Sequence, residues 1–200
     1  MQELSIHKQI ESRIKKGGRG AILFASDFAD LGSKEVVKKV LLRLEKQGML
    51  QRLAFGIYSY PKQNKLVGLV TPSIEEIAYA IAKRDKARIV PTGSYALNAL
   101  GLTTQVPLNA VYLTDGASRR VRIGRRTILF KKASPKNLAA IGGISGLIIQ
   151  ALKAIGEGNV TEPEERKMLE LLKKEKQDNL RSDISLAPEW IQKIMRKALK

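Results

Sequence analysis

The stretch Leu31-Gly32-Ser33-Lys34-Glu35-Val36-Val37-Lys38-Lys39-Val40-Leu41-Leu42-Arg43-Leu44-Glu45-Lys46-Gln47-Gly48, continuing through Met49-Leu50-Gln51-Arg52-Leu53-Ala54-Phe55-Gly56-Ile57-Tyr58-Ser59-Tyr60, decides how the amino-terminal third of this chain folds. Val37, Val40, Leu41 and Leu44 follow the i, i+3, i+4, i+7 spacing that gathers apolar side chains on one face of a helix. Ser33 is a good N-cap and Gly48 a good stop, so the spacing predicts a helix from Ser33 to about Gln47. Its other side carries Lys34, Lys38, Lys39, Leu42, Arg43 and Lys46, a basic face of a width that suits a DNA major groove. Met49–Leu53 and Ile57–Tyr60 then flank a tight Ala54-Phe55-Gly56 turn, the pattern of a short two-stranded hairpin.

Upstream, Leu4, Ile6, Ile10 and Ile14 predict an amphipathic helix over about residues 4–16, ended by Gly17-Gly18-Arg19-Gly20. Ala21–Phe24 reads as a short strand. Ser26-Asp27 caps a short helix through Leu31, with Phe28 and Leu31 turned inward. The order helix, strand, short helix, helix, hairpin is that of a winged helix-turn-helix, expected over residues 1–62. The amino-terminal half of a recognition helix enters the groove, which nominates Ser33, Lys34, Glu35 and Lys38 to meet base edges of double-stranded DNA. Arg19, Lys39, Arg43 and Arg52 are nominated as phosphate contacts, which position the protein without reading sequence.

A basic exposed helix face is also what an ordinary solvated helix presents, so the charge distribution is an independent test. The 200 residues carry 36 Lys and Arg against 19 Asp and Glu, a net charge of +17. Residues 1–62 hold +6, residues 119–136 hold +8 with no acid, and the remainder is nearly balanced. A cation neutralises phosphate only within about 8–10 Å, so this local density matters more than the total. The second centre consists of Arg119, Arg120, Arg122, Arg125, Arg126, Lys131, Lys132 and Lys136. Three readings of it stay open: further DNA phosphate contacts, a solvated hairpin, or a surface for an acidic protein.

The chain has no cysteine and a single histidine, His7. This argues against zinc fingers, thiol chemistry and most metal sites, and no cofactor is expected. No signal peptide is expected from Met1-Gln2-Glu3-Leu4, and the apolar run around Ile144–Ile155 is too short and too polar to span a bilayer, so a soluble, cytoplasmic chain is expected.

The second half, residues 63–200, is expected to be a mixed α/β domain with a short antiparallel sheet and a helical tail over 137–200, making the whole chain α+β. Tyr60–Lys65 reads as a polar connector. Ser73 and Glu76 form a capping box ahead of the stripe Ile74, Ile77, Ala78, Ile81, Ala82. Arg88–Pro91 reads as a strand and Gly93–Leu100 as a helix. Ala110–Thr114, Ser118–Ile123 and Thr127–Lys132 read as strands joined by hairpin turns at Asp115-Gly116 and Gly124-Arg125. Helices are expected over about 135–141, 145–155, 161–177 and 187–199. Trp190, Ile191, Ile194 and Met195 read as a docking face within the fold rather than a partner site.

Two enzyme-like signals fail. Gly93-Ser94-Tyr95 resembles the entry of nucleotidyltransferase folds, but the next strand, Asn109-Ala110-Val111-Tyr112-Leu113, offers no carboxylate pair for metal ions. Ile141-Gly142-Gly143-Ile144-Ser145-Gly146 lacks the Lys-Ser/Thr of a phosphate loop. No catalytic residues are nominated, and no enzyme is expected.

The run from Leu31 to Leu44, with Gln47–Arg52 and Phe55–Pro61, resembles the winged-helix domain of AbiEi-type antitoxins of type IV toxin–antitoxin systems. Pro91-Thr92-Gly93-Ser94-Tyr95-Ala96-Leu97-Asn98-Ala99-Leu100-Gly101-Leu102-Thr103-Thr104-Gln105-Val106-Pro107, with Val111–Thr114, resembles that family's carboxy-terminal domain, so the likeness covers roughly residues 5–135. It implies a transcriptional autorepressor that acts as antitoxin to a nucleotidyltransferase-like toxin; a monomer or weak oligomer on DNA is expected. A winged-helix module that binds protein or RNA without operator recognition is the alternative.

Overall fold

Ser5 opens the first helix, α1 (Ile6–Gly17), in the computed structural model of the chain, its hydroxyl accepting the Lys8 amide at 3.5 Å. The structure describes residues 5–64, 66, 68–105 and 107–199. Met1–Leu4, Lys65, Val67, Val106 and Lys200, and with them the expected role of Leu4, lie outside the described residues. The fold is mixed α+β, with small sheets and a helical tail. Two units are distinguished, Met1–Ala80 with Arg122–Gly124, and Ile81–Val121 with Arg125–Lys200.

In the first unit, β1 (Ile22–Phe24) leads into a single 3-10 turn over Ala25–Phe28, followed by α2 (Lys34–Lys46), β2 (Gln51–Ala54) and β3 (Ile57–Ser59). These strands form a three-stranded antiparallel sheet in the order β1-β3-β2. The helix expected over Ser26–Leu31 is a single turn, at whose start the Asp27 carboxylate reaches back to accept the Phe24 amide at 2.8 Å. Ile10, Ile14, Phe28, Val37, Leu41 and Leu44 are all but fully buried in one cluster with Leu50 and Tyr58. Burying each large aliphatic side chain stabilises the unit by about 1.5–3 kcal/mol, so the stripe read on α2 is what holds it to α1. Gly56 has φ +69°, which lets two residues, Phe55 and Gly56, close the β2–β3 hairpin. The stretch expected as a plain connector instead carries β4 (Lys62–Asn64), which pairs with β5 (Gly68–Val70).

The capping box predicted at Ser73 is present. Glu76 accepts the Ser73 amide at 2.7 Å and Ser73 accepts the Glu76 amide at 3.1 Å, opening α3 (Ile74–Arg84).

Farther along the chain, β6 (Ile89–Pro91) and α4 (Gly93–Ala99) precede β7 (Asn109–Thr114), β8 (Arg119–Ile123) and β9 (Arg126–Lys132). The sheet order is β6-β7-β9-β8, and β7 pairs with β9 in parallel. The expected short antiparallel sheet, with a hairpin turn at Asp115-Gly116, is therefore corrected to a mixed sheet in which the chain passes β9 to reach the edge. Three contacts hold this crossing. Asp115 accepts the Arg88 amide at 2.8 Å, the Ala133 amide donates to Thr114 O at 2.9 Å, and the Ser118 hydroxyl accepts the Lys132 amide at 3.0 Å. The buried side chains agree: Ile128 and Phe130 suit an interior strand, while the arginines of β8 suit only an edge.

The tail begins with a 3-10 turn at Pro135–Leu138, where a helix to residue 141 was expected, and continues as α5 (Gly143–Ile155), α6 (Glu162–Leu172), α7 (Gln177–Ile184) and α8 (Glu189–Arg196). Ile148, Leu152, Met168, Leu180, Ile191 and Met195 are fully buried together, with Trp190 and Ile194 packed against them. The single helix expected over 161–177 ends at Leu172 for a reason thirty residues away. Glu175, in the break, accepts the amides of Ile144 at 2.8 Å and Ser145 at 3.3 Å, while Asp183 of α7 accepts those of Ile141 at 2.9 Å and Gly142 at 2.8 Å. The Ser145 hydroxyl adds a 2.5 Å donation to Asp183, which is fully buried. A Cβ at Gly142 would collide with Ser145 Oγ and lie 2.6 Å from Glu175 Oε2, so a larger residue there would push these side chains from their hydrogen bonds.

Burial acts to raise the Glu175 carboxyl, but the amides of Ile144, Ser145 and Lys176 and the Asn179 side chain outweigh it and hold it below its ordinary value. A depressed carboxyl contributes stability above its unfolded value, near 4.3, and loses it as pH falls through the folded value. The stability gap between the native chain and Glu175→Gln, followed by urea unfolding, is expected to be widest above about pH 4.3 and to close on acidification. Asp183→Ala, which orphans two amides and a hydroxyl, is expected to cost about 2–5 kcal/mol in the same measurement.

Candidate nucleic-acid interface

The Ser33 hydroxyl accepts the Val36 amide at 3.4 Å and so fixes where α2 begins. Glu35, in the first turn, is held below its ordinary carboxyl value by its own backbone amide and the Ser33 hydroxyl, with Lys34 and Lys38 adding to this. Ser33, Lys34, Glu35, Lys38, Lys39, Leu42, Arg43 and Lys46 are all exposed, while Val37, Val40, Leu41 and Leu44 are buried. Lys34, Lys38 and Leu42 rise along the side of α2 that faces the β2–β3 hairpin, at the i, i+4, i+8 spacing of one helix face. Lys39 and Arg43 stand one turn apart on an adjoining side.

Between α2, the 3-10 turn and the hairpin lies a groove of about 660 Å³. Ala25, Ala29 and Leu42 contribute apolar surface over the buried Val37 and Tyr58, and Ser33, Lys34, Lys38 and Arg52 contribute polar and cationic groups. The Arg52 guanidinium carbon lies 5.8 Å from the centroid of the Phe55 ring, and its Nε donates to Ala54 O at 3.4 Å. Phe55, at the tip of the hairpin, is 84% exposed. Burial pushes the Tyr58 hydroxyl up from its ordinary value.

Arg13 braces this region from behind. Its two terminal nitrogens donate to the two carboxylate oxygens of Asp30 at 2.7 Å each, and Nη1 also donates to Asp27 O at 2.8 Å, tying α1 to the segment before α2. The structure does not bring Arg19 to the groove. Its guanidinium lies over the Tyr60 ring at 4.9 Å and donates to Pro61 O at 3.1 Å. That is the far end of β3 from Phe55, on the order of 15 Å of extended chain away.

The second basic centre is not one face. β8 is an edge strand with side chains alternating across it, so Arg120 and Arg122 project to one side, exposed, and Arg119 to the other. Arg119 is ion-paired with Asp85 and lies 5.3 Å over the Phe130 ring. Arg125 is exposed in the link to β9 and Arg126 is half-buried. Lys131, Lys132 and Lys136 are exposed, and Lys153 donates to Asn137 at 3.2 Å beside Lys136. Burial first, and then the Lys136 charge, lower the Lys153 ammonium from its ordinary value. Sequence spacing misses Lys153, which lies on α5.

The run Pro91–Pro107 has a structural reason for much of its pattern. The Asn98 side-chain amide donates to Thr103 O at 3.2 Å and Gln105 O at 3.1 Å, and Lys167 of α6 donates to Gly101 O, fastening the loop after α4. Ser94 is exposed at the start of α4, and Asp115 is occupied by the Arg88 amide. Among the described residues, no group of three or more His, Cys, Asp or Glu side chains is placed to hold a metal ion, and no helix is long and apolar enough to cross a membrane.

The comparisons with known proteins place the chain in a family. Residues 9–180 match the family described as family of unknown function DUF6088, and the chain belongs to it. No curated protein matches. Among solved structures, the RV2827C protein from Mycobacterium tuberculosis is similar at a TM-score of 0.48 and 11% identity, over 98% of this chain and 82% of that one.

The two sides of β8 are expected to respond differently to mutation. Arg119→Gln removes a partly exposed ion pair and a cation–π contact, each worth about 0.5–1 kcal/mol, and is expected to lower Tm by several degrees. Arg120→Gln is expected to stay within about 0.5 kcal/mol of the native chain in thermal melts.

Proposed function

We propose that the first unit is a winged helix-turn-helix that binds double-stranded DNA, with α2 as recognition helix and the β2–β3 hairpin as wing. The observation that carries this is the order α1, β1, 3-10 turn, α2, β2, β3 with sheet order β1-β3-β2, combined with the exposed cations Lys34, Lys38 and Arg52 around one groove. Ser33, Lys34, Glu35 and Lys38, on the first turns of α2, are the base-reading candidates. Lys39, Arg43 and Arg52 are phosphate contacts, and Arg120, Arg122, Arg125 and Arg126 add further phosphate contacts. Arg119 is left to its ion pair, and Arg19 to Tyr60 and Pro61.

The regulatory reading rests on the likeness to AbiEi-type antitoxins. On that reading the chain is a transcriptional autorepressor and antitoxin of a type IV system, acting against a nucleotidyltransferase-like toxin and without catalytic residues of its own. The pattern of Gly93-Ser94-Tyr95 is then part of a scaffold fastened by Asn98, not of an active centre.

Fluorescence anisotropy with the duplex upstream of the chain's own gene, against competitor DNA, tests the binding. Preference for that duplex is expected, and equal affinity for both overturns operator recognition. In a salt titration, changing Lys39, Arg43 and Arg52 to Gln is expected to flatten the log–log slope by about 0.9 for each phosphate that is no longer neutralised. Changing Arg120, Arg122, Arg125 and Arg126 to Gln is expected to flatten it further, and an unchanged slope removes that centre from the interface.

A further inference from the structure

We propose that the tip of the β2–β3 hairpin is a minor-groove wedge: Phe55 inserts at a base step of duplex DNA, backed by Arg52, while one sugar–phosphate strand runs in the groove between the hairpin and α2. This rests on the duplex-binding reading above and extends it to what the hairpin does to the DNA.

A single exposed apolar side chain on a protein surface normally means nothing. Phe55 differs in its surroundings. It stands 84% exposed at a turn that Gly56 makes tight, so the ring is carried at the outermost point of a narrow two-stranded ribbon. A register shift between Arg52 and Ala54 puts a bulge in β2 just before the turn, the device by which a hairpin re-aims its end. The Arg52 guanidinium lies against the ring, 5.8 Å from its centroid, so apolar and cationic groups share one tip. Apolar wedges beside arginines are the chemistry that enters and opens a minor groove.

The groove beside the tip has matching chemistry. Its walls at Ala29 and Leu42 offer carbon surface, which suits deoxyribose faces, and Arg52 stands at its rim, where a phosphate of the same strand would pass. A helix in the major groove and a hairpin in the adjoining minor groove must straddle one backbone strand. A basic-rimmed groove with apolar walls between those two elements is the shape that this strand requires.

The test uses the full chain on a short duplex carrying its footprinted site, labelled at its ends for energy transfer and carrying 2-aminopurine at successive steps. The native chain is expected to bend the duplex by roughly 20–90° and to raise 2-aminopurine fluorescence at one step outside the segment covered by α2. Phe55→Ala is expected to keep the native thermal melt, bind about tenfold more weakly and lose both signals, while Phe55→Leu keeps them. Lys38→Gln is expected to weaken binding but leave the bend of the bound duplex unchanged. Native binding with a bend and fluorescence that Phe55→Ala does not alter overturns the wedge alone. Failure of the native chain to bind any duplex overturns the wedge together with the DNA-binding reading. A dimer of the free chain that Phe55→Ala dissociates, seen by sedimentation, also overturns it, because the tip would then be a contact between copies.

Discussion

Pairing of β3 on both of its edges is the constraint from which the candidate site follows. β3 has three residues, Ile57, Tyr58 and Ser59, all buried, with β1 on one side and β2 on the other. A two-stranded hairpin alone is marginal in water, so β2 and β3 depend on β1 to persist as a ribbon. The pairing of Phe24 with Ile57, extended by the Ala25 amide donating to Gly56 O at 3.0 Å, sets the hairpin tip beside the start of the 3-10 turn. Phe28, at the end of that turn, is buried with Ile10, Ile14 and Leu41. The groove therefore has a hydrogen-bonded wall on one side and a packed helix on the other, and neither depends on the exposed cations.

Local pattern was enough where local physics decides. The stripe of α2, its Ser33 cap and the capping box at Ser73 were all legible, because a helix face and a cap lie within a few residues of one another. The misreadings share a different cause. Asp115-Gly116 has the chemistry of a hairpin turn, but the partner of β7 is settled by hydrogen bonds to Arg88, Lys132 and Ala133, which no local window contains. The break after Leu172 carries no glycine or proline, and its cause is a carboxylate that serves the start of another helix. β4 and β5 are short and exposed throughout, so no alternation marks them.

The candidate site was legible as charge and less so as shape. Lys34, Lys38 and Arg52 stand out in the sequence as basic residues near a helix start and a hairpin, and the structure gathers them around one groove. Counting charge could not separate Arg119 from Arg120, because adjacent residues of a strand face opposite ways and a count has no period. Phe55 reads in the sequence as a turn residue only. Its significance comes from exposure at the tip and from Arg52 lying against it, and both require the fold.

The start of α5 shows how a basic chain can keep an attractive anion site closed. The amino terminus of a helix, with free amides and a positive dipole end, ordinarily attracts phosphate, and the glycine-rich run Ile141–Gly146 invites that reading. Here Glu175 and Asp183 take the amides of residues 141, 142, 144 and 145. Two acids of a chain with only 19 are thus committed to an internal cap, where they neutralise a helix end instead of the surface.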